Sequence, residues 1–267
     1  MKARSLTISL PNYGCNKTCP YCVSKMTGYL KADEENILKN LRKVIDFSKR
    51  AGVLSVLFTS KGEPLLSKSF SFFLDIAEYF SDFALEIQTN GLLLNNNIID
   101  VLSDNGMNVI AISVDTQKQL DDLKPYLKTI SNKGMISRLC VNISTEIGHL
   151  TFDDLINFSK DNNVSQLTFR KLTVPEFCSN TPQAEWIKNN APDHLYTSFV
   201  DQFNKFDKRF IRKTVDNIDI YDCCGVSIIY SDYCLQESNN SEDVRSLIYA
   251  EDGHLYTSWN SPASILF

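Results

Sequence analysis

From the N-terminus to about residue 173 the chain alternates two patterns. Short apolar runs fall at 6–10, 53–59, 83–89, 109–114, 138–143 and 164–172. Several are apolar nearly throughout, as in Val109-Ile110-Ala111-Ile112, the pattern of parallel strands covered on both faces. Between the runs, apolar residues recur at helical spacing. Ile37, Leu41, Val44, Ile45 and Ser48 share one face behind Asp33, a candidate N-cap. Phe70, Phe73, Leu74 and Ala77 make a second stripe, and Leu120, Leu123, Leu127 and Ile130 a third. Six strands alternating with helices predict an α/β fold with right-handed crossovers; periodicity alone leaves open whether the sheet curls into a partial barrel.

After Val174 the texture changes. Pro175, Pro182 and Pro192 punctuate a loop-rich stretch, and a helix is predicted near 195–206. Short strands are predicted at 246–250 and 254–259 around Asp252-Gly253, a hairpin signal. No repeat at a solenoid period and no low-complexity tract interrupts the chain.

Composition narrows the classes. With 267 residues, 43% of them hydrophobic, the chain can bury one large core, or one core plus a small appendage. Its net charge of −5 provides no global basic field for a phosphate backbone, which argues against nucleic acid as a partner. No apolar run approaches the roughly 20 residues that span a bilayer. The basic start Met1-Lys2-Ala3-Arg4 is followed by a short apolar stretch broken at Pro11 and Asn12, so no signal peptide is expected and a cytoplasmic location is. Eight cysteines in such a chain read as metal ligands, catalytic groups or small buried hydrophobes before disulfides.

Three of them crowd into Cys15-Asn16-Lys17-Thr18-Cys19-Pro20-Tyr21-Cys22, directly after the first predicted strand. The C-terminal edge of the strands is where α/β sheets and barrels build active sites. Three thiolates on one tight loop can grip three irons of a [4Fe–4S] cube and leave the fourth iron open to a reactant. A structural zinc site and a chance cluster of core cysteines are the competing readings. Against zinc, such sites usually pair their ligands with a fourth Cys or His nearby, and the nearest histidine in sequence is His149.

The Cys-x₃-Cys-x₂-Cys loop, with aromatic Tyr21 before its last cysteine, resembles the radical S-adenosylmethionine (SAM) superfamily. The resemblance runs in family order through most of the first 173 residues. It implies a partial (β/α)₆ TIM-like barrel, with one [4Fe–4S] cluster on Cys15, Cys19 and Cys22 whose open iron is chelated by SAM. Reductive cleavage of SAM then yields a 5′-deoxyadenosyl radical that removes hydrogen from a substrate; such chemistry belongs to the cofactors. The expected division is a core barrel over 1–174 and a small α+β extension over 175–267 that covers the barrel mouth.

The resemblance also assigns SAM contacts. Gly62-Glu63-Pro64 looks like the motif that meets the methionine amine, although Gly and Pro also mark ordinary turns. The third strand runs into Thr89-Asn90-Gly91, the fourth ends at Ser113 and Asp115, and the fifth carries Asn142 and Ser144. Ser113 and Asn142 are carried over as ribose and carboxylate partners; Asn90 reads equally as a cap or turn residue. Arg170 on strand six is a candidate for the SAM carboxylate, with a solvated strand-end arginine as its alternative. Tyr21 completes the set.

Cys178, Cys223, Cys224 and Cys234 number enough for a second cluster, but their spacing matches no auxiliary pattern, and Ser258 stands where related hairpins carry a cysteine. They read by default as small hydrophobes, as does Cys140. The short layout is similar to the branch that includes cyclic pyranopterin synthase and viperin. That implies a small or nucleotide-like substrate and a low-potential donor such as flavodoxin or ferredoxin. Modification of a peptide or protein is the alternative, and an iron–sulfur electron carrier or sensor without SAM chemistry is the alternative of another class.

Overall fold

Each of the six apolar runs forms a strand, and the polar-faced segments between them form the covering helices. The computed structural model describes residues 1–213, 218–231, 243–259 and 261–267. The first half runs β1 (Lys2–Leu10), α1 (Val23–Thr27), α2 (Glu34–Ala51), β2 (Ser55–Ser60), α3 (Ser67–Ala77), β3 (Ala84–Thr89), α4 (Asn96–Asp104), β4 (Met107–Val114) and α5 (Gln117–Asn132). There follow β5 (Ile136–Ile143), α6 (Phe152–Asp161), β6 (Gln166–Lys171), α7 (Pro182–Asn190) and α8 (Asp193–Lys205). The chain ends with β7 (Arg209–Lys213), β8 (Asp219–Cys223), β9 (Val226–Ser231), β10 (Asp243–Tyr249) and β11 (Leu255–Tyr256).

Strands β1 to β6 pair in sequence order and all in parallel. The segment after residue 174 continues the same sheet at both edges. There β10 lies parallel to β1 and β9 parallel to β6, with β11 and the β7–β8 hairpin antiparallel outside them. The sheet therefore stays open, and the C-terminal strands extend it at both edges. The tail hairpin forms as its Asp252-Gly253 signal predicts.

Local chemistry explains the helices. Asp33 caps α2, accepting from the Asn36 amide at 2.9 Å, and Ile37, Leu41, Val44, Ile45 and Ser48 are buried on the expected face. In α3 the buried row is rotated from the predicted stripe to Ser69, Phe72, Phe73, Ile76 and Ala77, while Phe70 and Leu74 pack at its border. Ser69 is the reason: small enough to bring the helix onto β1, it donates its hydroxyl to the Pro11 carbonyl at 3.0 Å. Phe58 of β2 then meets the edges of Phe73 and Phe80 at 4.9 and 5.9 Å. One hydrophobic cluster joins these to Phe199, Phe203, Ile228, Leu247 and Tyr249, so the chain after 174 shares the barrel's core. Among the described residues no helix is long and apolar enough to cross a membrane.

Candidate functional site

Because the six strands run in one direction, the loops that follow them share one edge of the sheet. The cysteine loop leaves β1 there and faces Gly62-Glu63 after β2, Asn90 after β3, Asp115 after β4 and the end of β5.

The loop is seated on the Gly-Glu-Pro turn. The Glu63 amide donates to the Gly14 carbonyl at 3.0 Å, and a Cβ on Gly62 would lie 2.0 Å from that same oxygen. Only a glycine admits the loop this closely. Pro64 is the second residue of a turn closed by Leu66 N to Glu63 O at 3.2 Å, a position its fixed φ suits. The Glu63 side chain is buried and fully engaged. It accepts from Leu65 N at 3.0 Å, Thr89 Oγ1 at 2.6 Å and Asn90 N at 2.8 Å. Burial holds its pKa above the usual carboxylate value against the pull of those donors. Its carboxylate thus binds the β2 turn to the Thr89-Asn90-Gly91 corner, and the peptide backbone of the turn is what borders the loop.

The three thiols differ in setting. Cys15 is exposed and its sulfur receives Lys17 N at 3.4 Å and Asn90 Nδ2 at 3.8 Å, two donors of the kind that favour a thiolate ligand. Asn90 also donates to Asn16 at 2.8 Å and accepts from Leu92 N at 3.0 Å, so it is both a turn residue and a tie to the loop. Cys19 and Cys22 are half-buried and linked by a turn, Cys22 N to Cys19 O at 3.3 Å. Burial, then the Asp115 carboxylate, push the Cys19 thiol up to about 11, against the opposing charge of Lys17. Among the described residues no three His, Cys, Asp or Glu side chains are drawn together at metal-binding distance, the triplet included. The donor set nonetheless fits an iron–sulfur cube: three unpaired thiols on one eight-residue loop, its backbone pinned at Gly62 and its first sulfur already supplied with N–H donors.

Across the mouth, Lys17 Nζ meets the Asp115 carboxylate and donates to Gln119 Oε1 at 3.2 Å. Gln119 in turn donates to the carbonyls of Asn90 and Ser113 at 2.7 and 2.6 Å, tying β3, β4 and the loop together. Asn142 donates to Asp115 Oδ1 at 2.8 Å and to the Tyr21 hydroxyl at 3.3 Å. Burial and the Asp115 charge raise the Tyr21 pKa, so the phenol stays neutral. The tyrosine ring packs on Trp186 of α7, centroids 5.4 Å apart. The Ser113 hydroxyl is half-buried on β4, and Arg170 lies beside Asn142 in the β5–β6 register.

Local sequence pattern gives Asp115 no specific role and does not single out Lys17, Gln119 or Trp186. Lys17 and Asp115 carry opposite charges but belong to strands three apart, so no local pattern pairs them. Glu251 was also missed. Buried at the end of β10, it accepts from Leu30 N at 2.9 Å and supports the loop behind the cysteines. The late cysteines sit on separate elements. Cys178 donates to Met26 O at 3.4 Å, Cys223 is wholly buried at the β8–β9 turn, Cys224 is exposed, and Cys234 lies outside the described residues.

Comparison with known proteins agrees with this layout. The chain is 24% identical to 7-carboxy-7-deazaguanine synthase of Clostridium acetobutylicum over 196 residues, 64% of this chain and 86% of that protein. It is 33% identical to GTP 3′,8-cyclase of Campylobacter jejuni over 181 residues, 62% of this chain but 54% of that protein, so it spans about half the length of that relative. The fold is shared with Streptococcus suis SuiB bound to its precursor peptide SuiA (TM-score 0.60, 13% identity, 96% of this chain and 59% of that one). It is shared also with anSMEcpe bound to AdoMet (TM-score 0.57, 16% identity, 99% and 77%). Residues 9–138 match the model of the radical SAM superfamily, and this match, with the cysteine loop, the Gly-Glu-Pro turn and the parallel sheet around them, supports placing the chain in that superfamily.

Proposed function

We propose that this chain is a radical SAM enzyme that acts on a small, nucleotide-like substrate in the cytoplasm. When bound, one [4Fe–4S] cluster and SAM supply a 5′-deoxyadenosyl radical that abstracts hydrogen from that substrate. The observation that carries the reading is the convergence at one sheet edge of three thiols, the Gly62–Glu63 turn, Asn90, Ser113 and Asn142. An electron carrier has no use for such a polar rim.

The chain's own residues have separable tasks. Cys15, Cys19 and Cys22 would hold the cluster and leave one iron to SAM. Gly62 and Glu63 set the height of the loop, and the acceptor groups of the turn would hold the ammonium of SAM. Ser113 and Asn142 offer hydrogen bonds to hydroxyls or a carboxylate, and Arg170 stands beside Asn142 for a carboxylate. Tyr21 and Trp186 form an apolar wall that excludes water from a reactive centre. A flavodoxin- or ferredoxin-type protein would supply the electron.

The nucleotide-like substrate rests on the names of two relatives, a GTP 3′,8-cyclase and a 7-carboxy-7-deazaguanine synthase. Anaerobically reconstituted enzyme should be incubated with SAM and, in separate arms, deuterated purine nucleotides, other small molecules and peptides. Deuterium arriving in 5′-deoxyadenosine identifies the substrate. Transfer from a peptide and from none of the small molecules would replace this reading with peptide modification.

A further inference from the structure

We propose that Lys17 and Asp115 form a positioning ion pair for the cluster, clamping the cysteine loop across the mouth and setting the cluster's ease of reduction. The inference rests on the cluster assignment above. Lys17 lies between Cys15 and Cys19, two residues from each, and its ammonium is bound on the far side of the mouth by Asp115 and Gln119. The carboxylate is nearly sealed, its side chain 6% exposed, while that of Lys17 is 22% exposed. A carboxylate this enclosed needs its partners, and it has them from two sides: Lys17 on one oxygen and Asn142 on the other. Gln119 closes the frame by accepting from Lys17 and from Asp115 N at 3.2 Å while holding the Asn90 and Ser113 carbonyls. The loop is thereby fixed to the ends of β3, β4 and β5 at once, at a point midway between two of its sulfurs.

The pair also brings two opposite charges to the cluster loop, the Lys17 ammonium on the loop and the Asp115 carboxylate against it. Reduction adds a negative charge to an already anionic centre. A nearby ammonium favours that step and a nearby carboxylate opposes it, most strongly where water is excluded. A merely structural strut would not obey this sign rule.

The test is the midpoint potential of the reconstituted protein, followed by the electron-paramagnetic signal of the reduced cluster, together with iron per chain and circular dichroism. Lys17→Met should lower the midpoint and reduce iron content at least twofold. Asp115→Asn should raise the midpoint. The double variant should return towards wild type, and Lys17→Arg should preserve both loading and potential. If Lys17→Met folds poorly, Asp115→Asn and the double variant still carry the sign. Equal potentials in all variants, or shifts of the same sign in both singles, would overturn the proposal. A wild-type chain that takes up no cluster would instead overturn the functional reading beneath it.

Discussion

Gly62→Ala tests how tightly the cysteine loop is seated. The added methyl would stand 2.0 Å from the Gly14 carbonyl oxygen, 2.3 Å from Asn12 Oδ1 and 2.8 Å from the Gly14 carbonyl carbon. Ordinary contact lies near 3.5 Å, so one side must retreat by roughly 1–1.5 Å. Glu63 cannot carry the turn away, because its buried carboxylate is held by Leu65, Thr89 and Asn90. The segment leading into Cys15 is what moves, and the Glu63 N to Gly14 O bond is lost with it. Overpacking of this kind costs about 1–3 kcal/mol of stability, which a sheet sharing one core tolerates. Misplacement by about 1 Å at a reacting centre costs on the order of 100-fold in rate. The assay is iron and sulfide per chain, circular dichroism, and dithionite-driven formation of 5′-deoxyadenosine from SAM. The expected result is a folded protein with depleted iron and a rate about 100-fold lower. A Gly62→Ala protein with the iron content and SAM cleavage of the wild type would refute the seating described here.

Three further outcomes are expected. The double variant Ser113→Ala, Asn142→Ala should keep its cluster but bind SAM at least about tenfold more weakly, since a hydrogen bond to a charged group is worth roughly 1.5–3 kcal/mol; unchanged affinity by calorimetry would place SAM elsewhere. Phe58→Ala, which empties a wholly buried site between Phe73 and Phe80, should lower unfolding free energy in urea by about 3–5 kcal/mol, and a loss below about 1 kcal/mol would contradict that packing. Glu251 carries a pKa raised from 4.5 by burial. Its contribution to stability is therefore present below pH 4.5 and lost as pH rises through the raised value. Relative to Glu251→Gln, the wild type should weaken between pH 4 and pH 7 in urea titrations, and a difference constant with pH would count against that burial effect.

What could be read from the sequence followed from local pattern. The six parallel strands fall within two residues of their apolar runs at almost every end, because a strand buried on both faces has no polar alternation to blur it. The α2 face and its Asp33 cap are equally local. The cysteine loop and the Gly-Glu-Pro turn were visible as motifs, but their mutual seating was not, since it depends on Gly62 meeting Gly14 across two strands. The Glu63 carboxylate, read as a SAM contact, turned out to be engaged by Thr89 and Asn90 of the next strand's end. Least legible was the tail. Strand β10 joins β1 in parallel across some 240 positions of chain, a pairing that no short-range signal encodes. Its Leu247 and Tyr249 are completely buried, so the tail is part of the core, and α7, through Trp186, is the part that reaches the cysteine loop.

Cys15, Cys19 and Cys22 are proposed to hold the cluster that cleaves SAM. Reconstituted wild-type protein, reduced without oxygen in the presence of SAM, should hold about four irons and four sulfides per chain and release 5′-deoxyadenosine. The variant with all three cysteines changed to Ala should keep the circular dichroism of a folded sheet, lose the iron and release none. A fully loaded, reducible wild-type cluster that yields no 5′-deoxyadenosine, or a triple variant that retains its iron, would overturn the assignment of these three cysteines.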